Sequence, residues 1–110
     1  MPRIFVAGYY RDCQEWVRRE RIQTRPQNFE VVICTADRNV RGHRLRRRDR
    51  VVILHGALPE VRDYLRLLES IRRRQLAELE ELVAARPGWW RFRRRREIAS
   101  EIQKIEQELS

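Results

Sequence analysis

The sequence predicts an α/β protein: a small three-stranded, mainly parallel sheet (a Rossmann-like half), then a long helix and a C-terminal antiparallel helix that together form a helical hairpin. Three observations carry this. The runs at 3–7, 31–34 and 51–54 are short, β-branched and continuously apolar, as strands buried on both faces are. A segment with helical signals separates the first two runs, the order that a parallel sheet requires. From Pro59 onward apolar residues recur at helical spacing, broken once at Pro87-Gly88. A chain of 110 residues is one domain or a small domain with an extension; the change of pattern divides it into an α/β part at 1–58 and a hairpin at 59–110, packed partly on the sheet.

Taken in order, Arg3-Ile4-Phe5-Val6-Ala7 is the first strand, ended by Gly8. Asp12 followed three residues later by Glu15 is a capping-box pattern, predicting one or two helical turns through Trp16, Val17 and Ile22 that end before Pro26. Residues 29–34 form the second strand. Residues 35–42 predict one helical turn, capped by Thr35 or Asp37 and stopped by Gly42. Residues 44–50 are too charged for a core element and are read as loop, and 51–54 is the third strand. Pro59 suits a first helical position. If unbroken to Ala85, the helix that it opens spans about 40 Å at 1.5 Å per residue. That outruns a three-stranded sheet, so its far half needs another partner. Residues 89–109 resume helical character, and Ile98, Ile102, Ile105 and Leu109 form a seam of period near 3.5, as in a coiled coil or helical hairpin.

The net charge of +9 is carried by 24 arginines and one lysine, Lys104, against 16 acids, a balance that favours acidic or polyanionic partners. Arginine suits bidentate phosphate or carboxylate contacts, although GC-rich codons raise its share without selection for binding. Its placement therefore decides. Residues 59–110 nearly balance, with 12 basic and 10 acidic side chains. Folding the chain back at Pro87-Gly88 sets Arg93 to Arg96 beside Glu78, Glu80 and Glu81, and Arg72 to Arg74 beside Glu101 and Glu106, which predicts interhelical pairing. Residues 1–58 hold 13 basic and 6 acidic side chains. Within them residues 38–50, most of the connector between the second and third strands, carry Arg38, Arg41, Arg44, Arg46, Arg47, Arg48, Arg50 and His43 against the single acid Asp49.

Loops after the carboxyl ends of parallel strands form the binding edge of an open sheet. Residues 8–11, 35–38 and 55–56 belong there. Arg38, Arg41 and Arg44 are expected near it, while Arg46 to Arg50 must travel back to the opposite edge. A nucleic-acid phosphate backbone, DNA or RNA, is the partner that best suits such a connector. Arg11 and Tyr9 are secondary contacts, with Tyr9 and Tyr10 either stacking on bases or wedged on the core. Trp89-Trp90-Arg91-Phe92 closes the bend or forms a protein interface, to which Trp89, Trp90, Ile98, Ile102, Ile105 and Leu109 are assigned.

No phosphate-loop or dinucleotide fingerprint is present, and two histidines and two cysteines at unrelated spacings do not make a zinc site. No enzymatic activity, metal or cofactor is predicted. Cys13 near a helix start is placed where a thiolate is favoured but lacks a base, and His55 at a strand end is the best acid-base candidate. Cys34 reads as a buried free thiol in a reducing, cytoplasmic setting, and no leader or membrane-spanning run is seen.

Residues 31–56, through Thr35-Ala36-Asp37 and Arg41-Gly42 between two strands, resemble the motif V region of the second RecA-like domain of superfamily-two helicases. The resemblance implies that Thr35, Asp37, Arg41 and Gly42 face nucleic acid and nucleotide. It covers about a quarter of the chain, and the family's phosphate loop and final arginine motif are missing, so helicase activity is not implied. The assembly of a lone α/β unit, hairpin and arginine bias is similar in style to small accessory proteins of actinobacterial phages. The first functional expectation is therefore a non-catalytic nucleic-acid-binding protein. The second is a structural or adaptor protein that oligomerises or docks through the hairpin, and the third an enzyme or small-nucleotide binder at the strand ends.

Overall fold

The computed structural model describes residues 1–23, 29–84 and 92–110. Pro26, Pro87, Gly88, Trp89 and Trp90 lie outside the described residues, as do the side chains of 92–95, so the expected bend, its aromatic cluster and the pairing of Arg93 to Arg95 do too.

The strands are β1 (Arg3–Ala7), β2 (Glu30–Cys34) and β3 (Arg50–Ile53). They form a fully parallel sheet in the order β2-β1-β3, with Ala7 level with both Cys34 and Ile53. Central β1 is buried along its whole length. Successive side chains of a strand point to opposite faces, so each face has its own core. On one, Ile4 and Val6 meet Cys13, Trp16 and Val17 of helix α1 (Tyr10–Gln23). On the other, Phe5 and Ala7 meet Val61, Leu65 and Leu68 of helix α2 (Pro59–Ala84), together with Val40 and Leu45 of the connector. The crossovers β1-α1-β2 and β2-connector-β3 run in opposite directions and lie on opposite faces. Both therefore keep one hand, as parallel crossovers do.

Helix α1 is longer than the capping pattern suggests: it starts at Tyr10 and runs for 14 residues, leaving Asp12 in its first turn. There the carboxylate favours the helix by its charge near the positive end of the dipole. The predicted turn after β2 is a 3-10 turn at Asp37–Asn39. Neither Thr35 nor Asp37 caps it; the Asn39 side chain reaches back and accepts the Ala36 N–H at 3.0 Å. Gly42 ends the segment with φ +81°.

Helix α2 is unbroken for 26 residues from Pro59. Its first half covers the sheet. Its second half leaves the sheet and gains the partner that its length demanded, helix α3 (Phe92–Leu109), where Leu79 packs on Ile102, Ile105 and Leu109. Gln75 donates to Glu108 at 2.8 Å, which fixes the antiparallel register. Arg72, expected to pair with Glu101 or Glu106, instead donates to the main-chain carbonyls of Arg46 and Asp49. The reason is position: α2 passes the amino edge of the sheet at Arg72, where the connector offers two carbonyls in reach. Among the described residues no ion pair links α2 to α3. No helix among the described residues is long and apolar enough to cross a membrane.

Candidate nucleic-acid interface

The connector is basic at its surface and apolar beneath. Val40 and Leu45, apolar residues among charged and polar neighbours, are buried and pin it across the α2 face of the sheet. Next to them lies a buried ion pair. Arg3 opens β1, and its guanidinium donates to Asp49 at 2.9 Å and to the Arg44 carbonyl at 2.8 Å. Asp49 also accepts the main-chain N–H of Arg3 at 3.1 Å and of Arg46 at 2.8 Å. Burial alone would push the Asp49 carboxyl up. The hydrogen bonds from Arg3 and Arg46 and the Arg3 charge outweigh it and hold the group below its usual range. The Arg3 cation lies 5.1 Å from the centre of the Phe5 ring, and His43 meets that ring edge-on at 5.4 Å.

This pair shapes the arginine run. Asp49 N–H donates to the Arg46 carbonyl at 3.1 Å, and its carboxylate accepts from Arg46 N–H, so residues 46–49 form a turn closed from both sides. Arg47 and Arg48 occupy the centre of that turn, exposed. Arg47 N–H donates to the Leu109 carbonyl at 2.9 Å, which ties the turn to the last residue of α3. Arg72 holds the turn's carbonyls from α2. Three elements, β1, α2 and α3, thus fix a backbone that carries adjacent arginines.

The seven connector arginines separate by edge and by pairing. Arg38 follows β2 at the carboxyl edge, exposed. Arg41 is there too and pairs with Asp37. Arg44, expected near the strand ends, already sits at the amino edge, because its carbonyl bonds the guanidinium of the first β1 residue. Arg46, Arg47 and Arg48 share that edge. Arg50 turns to the α1 face, where it pairs with Glu20 at 3.0 Å and lies over the Trp16 ring at 5.9 Å. Among the described residues Arg38, Arg44, Arg46, Arg47 and Arg48 make no ion pair, and all five are exposed.

Of the secondary contacts, Arg11 is exposed in the first turn of α1. Tyr9 is 63% exposed, yet one edge of its ring rests on Gly56, where an added Cβ would lie 2.2 Å from the ring. The tyrosine is therefore half of each expected thing: seated on the fold and open on one face. Tyr10 is 56% exposed at the helix start. Thr35, Asp37, Arg41 and Gly42 lie together at the carboxyl edge, with Thr35 donating to the Asn39 side chain at 3.3 Å.

The other candidates take different places. Cys13 is fully buried and donates to the Val6 carbonyl at 3.6 Å. Burial and then the Asp12 charge raise its pKa, so the helix start does not make it a thiolate. Cys34 is pushed up to about 11, chiefly by burial. His55 lines a cleft of about 240 Å³ at the carboxyl edge with Asp12, Glu15, Trp16 and Arg19. Ile102, Ile105 and Leu109 are buried against Leu79, with Ile98 packed beside them, so this part of the assigned interface is occupied within the chain. The buried roles of Arg3 and Asp49 were missed. Their signal was an arginine opening an apolar strand and one acid in an arginine run.

Comparison of the chain with protein-family models, curated proteins and solved structures finds no match.

Proposed function

We propose that the protein binds nucleic acid, DNA or RNA, without catalysis, through the phosphate backbone. The observation that carries this reading is the exposed, unpaired Arg46-Arg47-Arg48 run on a turn fixed by Asp49, Arg3, Arg72 and Leu109. Fixing the backbone in advance removes part of the ordering cost that a solvated arginine loop would meet on binding. Arg44 extends the patch along the amino edge. Arg38, with Arg11 and the open face of Tyr9, offers a second patch at the carboxyl edge. A five-residue strand separates the edges by about 16 Å, a reach of several phosphates on one strand. The resemblance of residues 31–56 to the motif V region also favours nucleic acid at the carboxyl edge. Two buried free cysteines suit a reducing cytoplasm.

A salt titration of binding to single-stranded and duplex oligonucleotides tests the reading. With Arg46, Arg47 and Arg48 changed to glutamine, the slope of log affinity against log salt should fall by roughly 0.7–0.9 for each phosphate that the variant no longer neutralises. No binding to DNA or RNA at low salt would overturn it.

A second reading, a docking or oligomerising adaptor, is favoured by Leu67 and Ile71, which stand 54% and 43% exposed one turn apart on α2. A mass measurement in solution across a concentration series addresses it: a dimer that disappears on changing both residues to glutamine supports self-association, and a monomer throughout counts against it.

A further inference from the structure

Behind the Arg46–Asp49 turn lies an open cleft of about 400 Å³, within the range of small-ligand sites. One wall is the three arginines. The last turn of α3 contributes Glu106 and Leu109 to the lining, and Pro2 adds apolar surface. Asp49 also reaches the cleft, but Arg3 already takes its charge. Met1 and Ser110 complete the lining, with the Ser110 hydroxyl donating to the Gln107 carbonyl at 3.0 Å. Of the charged side chains, Arg46, Arg47 and Arg48 make no ion pair among the described residues and Glu106 is the one other carboxylate, a side-chain excess of two positive charges.

A phosphodiester carries one negative charge, while a phosphomonoester carries about −1.5 to −2 at pH 7 with three strong acceptor oxygens. The monoester matches the excess and offers acceptors in the number that a cluster of arginine forks can use. An internal backbone running through the cleft would also bring phosphates past Glu106.

The geometry points to this cleft as a binding site for a phosphomonoester, the phosphorylated end of a nucleic-acid strand. Its macromolecular ligand rests on the nucleic-acid reading above, whereas the preference for a monoester rests on the cleft alone. Leu109 and Pro2 give the terminal sugar or base an apolar surface beside the charged one. Arg47 and Arg48 are the residues that distinguish the end group, since both sit at the centre of the fixed turn.

The experiment uses the full chain and short oligothymidylates with a 5′-phosphate, a 3′-phosphate or hydroxyls at both ends, plus a nucleoside 5′-monophosphate against its nucleoside. A phosphorylated end should bind about tenfold more tightly or better than the hydroxyl form, the scale of a charge-assisted hydrogen bond. Arg47→Gln with Arg48→Gln should abolish that ratio, and Arg38→Gln should weaken every oligonucleotide alike and leave the ratio intact. Glu106→Gln removes a carboxylate that repels any phosphate, so it should tighten phosphorylated ends at least as much as hydroxyl ends and leave the ratio in place. Thermal melting checks that each variant keeps the fold, which is expected because Arg47 holds Leu109 through its main chain. If all oligonucleotides bind equally, the end-group site is overturned and the backbone reading stands. If the nucleoside monophosphate binds through Arg47 and Arg48 while no oligonucleotide binds, the backbone reading falls and the monoester site remains. If nothing binds, both fall.

Discussion

Asp49 is the residue on which the arginine turn depends. It is buried, accepts three hydrogen bonds and neutralises the buried Arg3 cation. Removing one partner of a buried pair leaves the other charge uncompensated, at a cost of about 3–5 kcal/mol. Asp49→Ala should therefore lose about that much stability in urea denaturation, and Arg3→Met together with Asp49→Leu should lose less than the single change. The pH dependence follows from the same bonds. A carboxyl whose pKa is lower folded than unfolded contributes stability above the unfolded value, near 3.9, and the contribution disappears as pH falls through the folded value. Stability measured from pH 5 down to 2 should fall in the parent, and Asp49→Asn should flatten the part of that fall that belongs to this group. Gly56 is the second residue whose identity matters. It holds φ +90° and supports the Tyr9 ring, so Gly56→Ala should cost roughly 1–3 kcal/mol. The clash part of that cost should shrink in a Tyr9→Ala background, leaving the backbone part, which a double-mutant cycle separates.

At the scale of elements, α2 belongs to two cores. Val61, Leu65 and Leu68 seal the sheet, and Leu79 seals the hairpin. Sequence periodicity read this helix, its start at Pro59 and its need for a second partner, because apolar spacing along one helix is a local property. It could not read Arg72. Pairing charges by distance from the Pro87-Gly88 break assumes that each helix sees only the other, whereas α2 also passes the connector. Truncating the hairpin seam tests the sharing of α2. Ile102→Ala should cost about 2–4 kcal/mol. Because one helix links both cores, amide protection in β1 should fall along with that in α3. Protection in β1 unchanged while α3 opens would show the halves to be independent.

At the scale of the molecule, the hairpin makes the shape. The radius of gyration of 17.7 Å exceeds the roughly 13 Å expected for a compact chain of this length, and the long axis is 58 Å against 33 and 17 Å. Small-angle scattering of a monomer should return this extended form; a value near 13 Å would mean that the hairpin folds back on the sheet. The exposed arginines occupy both edges of the sheet half. A partner that meets both patches therefore lies along the strands, which suits an extended polyanion better than a small one.

The sequence by itself determined the strands, their parallel direction, the long helix and the antiparallel seam, since each depends on spacing and connection within a short window, while the strand order β2-β1-β3 came from the tertiary structure. It also located the excess positive charge in residues 1–58. What only the tertiary structure decided was which of those charges are free. Arg41 and Arg50 pair with Asp37 and Glu20, Arg3 is buried on Asp49, and Arg44 crosses to the amino edge. Apart from the local Arg41–Asp37 pair, four positions apart, those outcomes depend on contacts between residues 30 to 46 positions apart, or on the path that a connector takes across a sheet. Coulomb attraction acts through space and does not follow the order of the chain. The arginine turn, its anchors and its cleft therefore emerge only once β1, α2 and α3 meet at one edge.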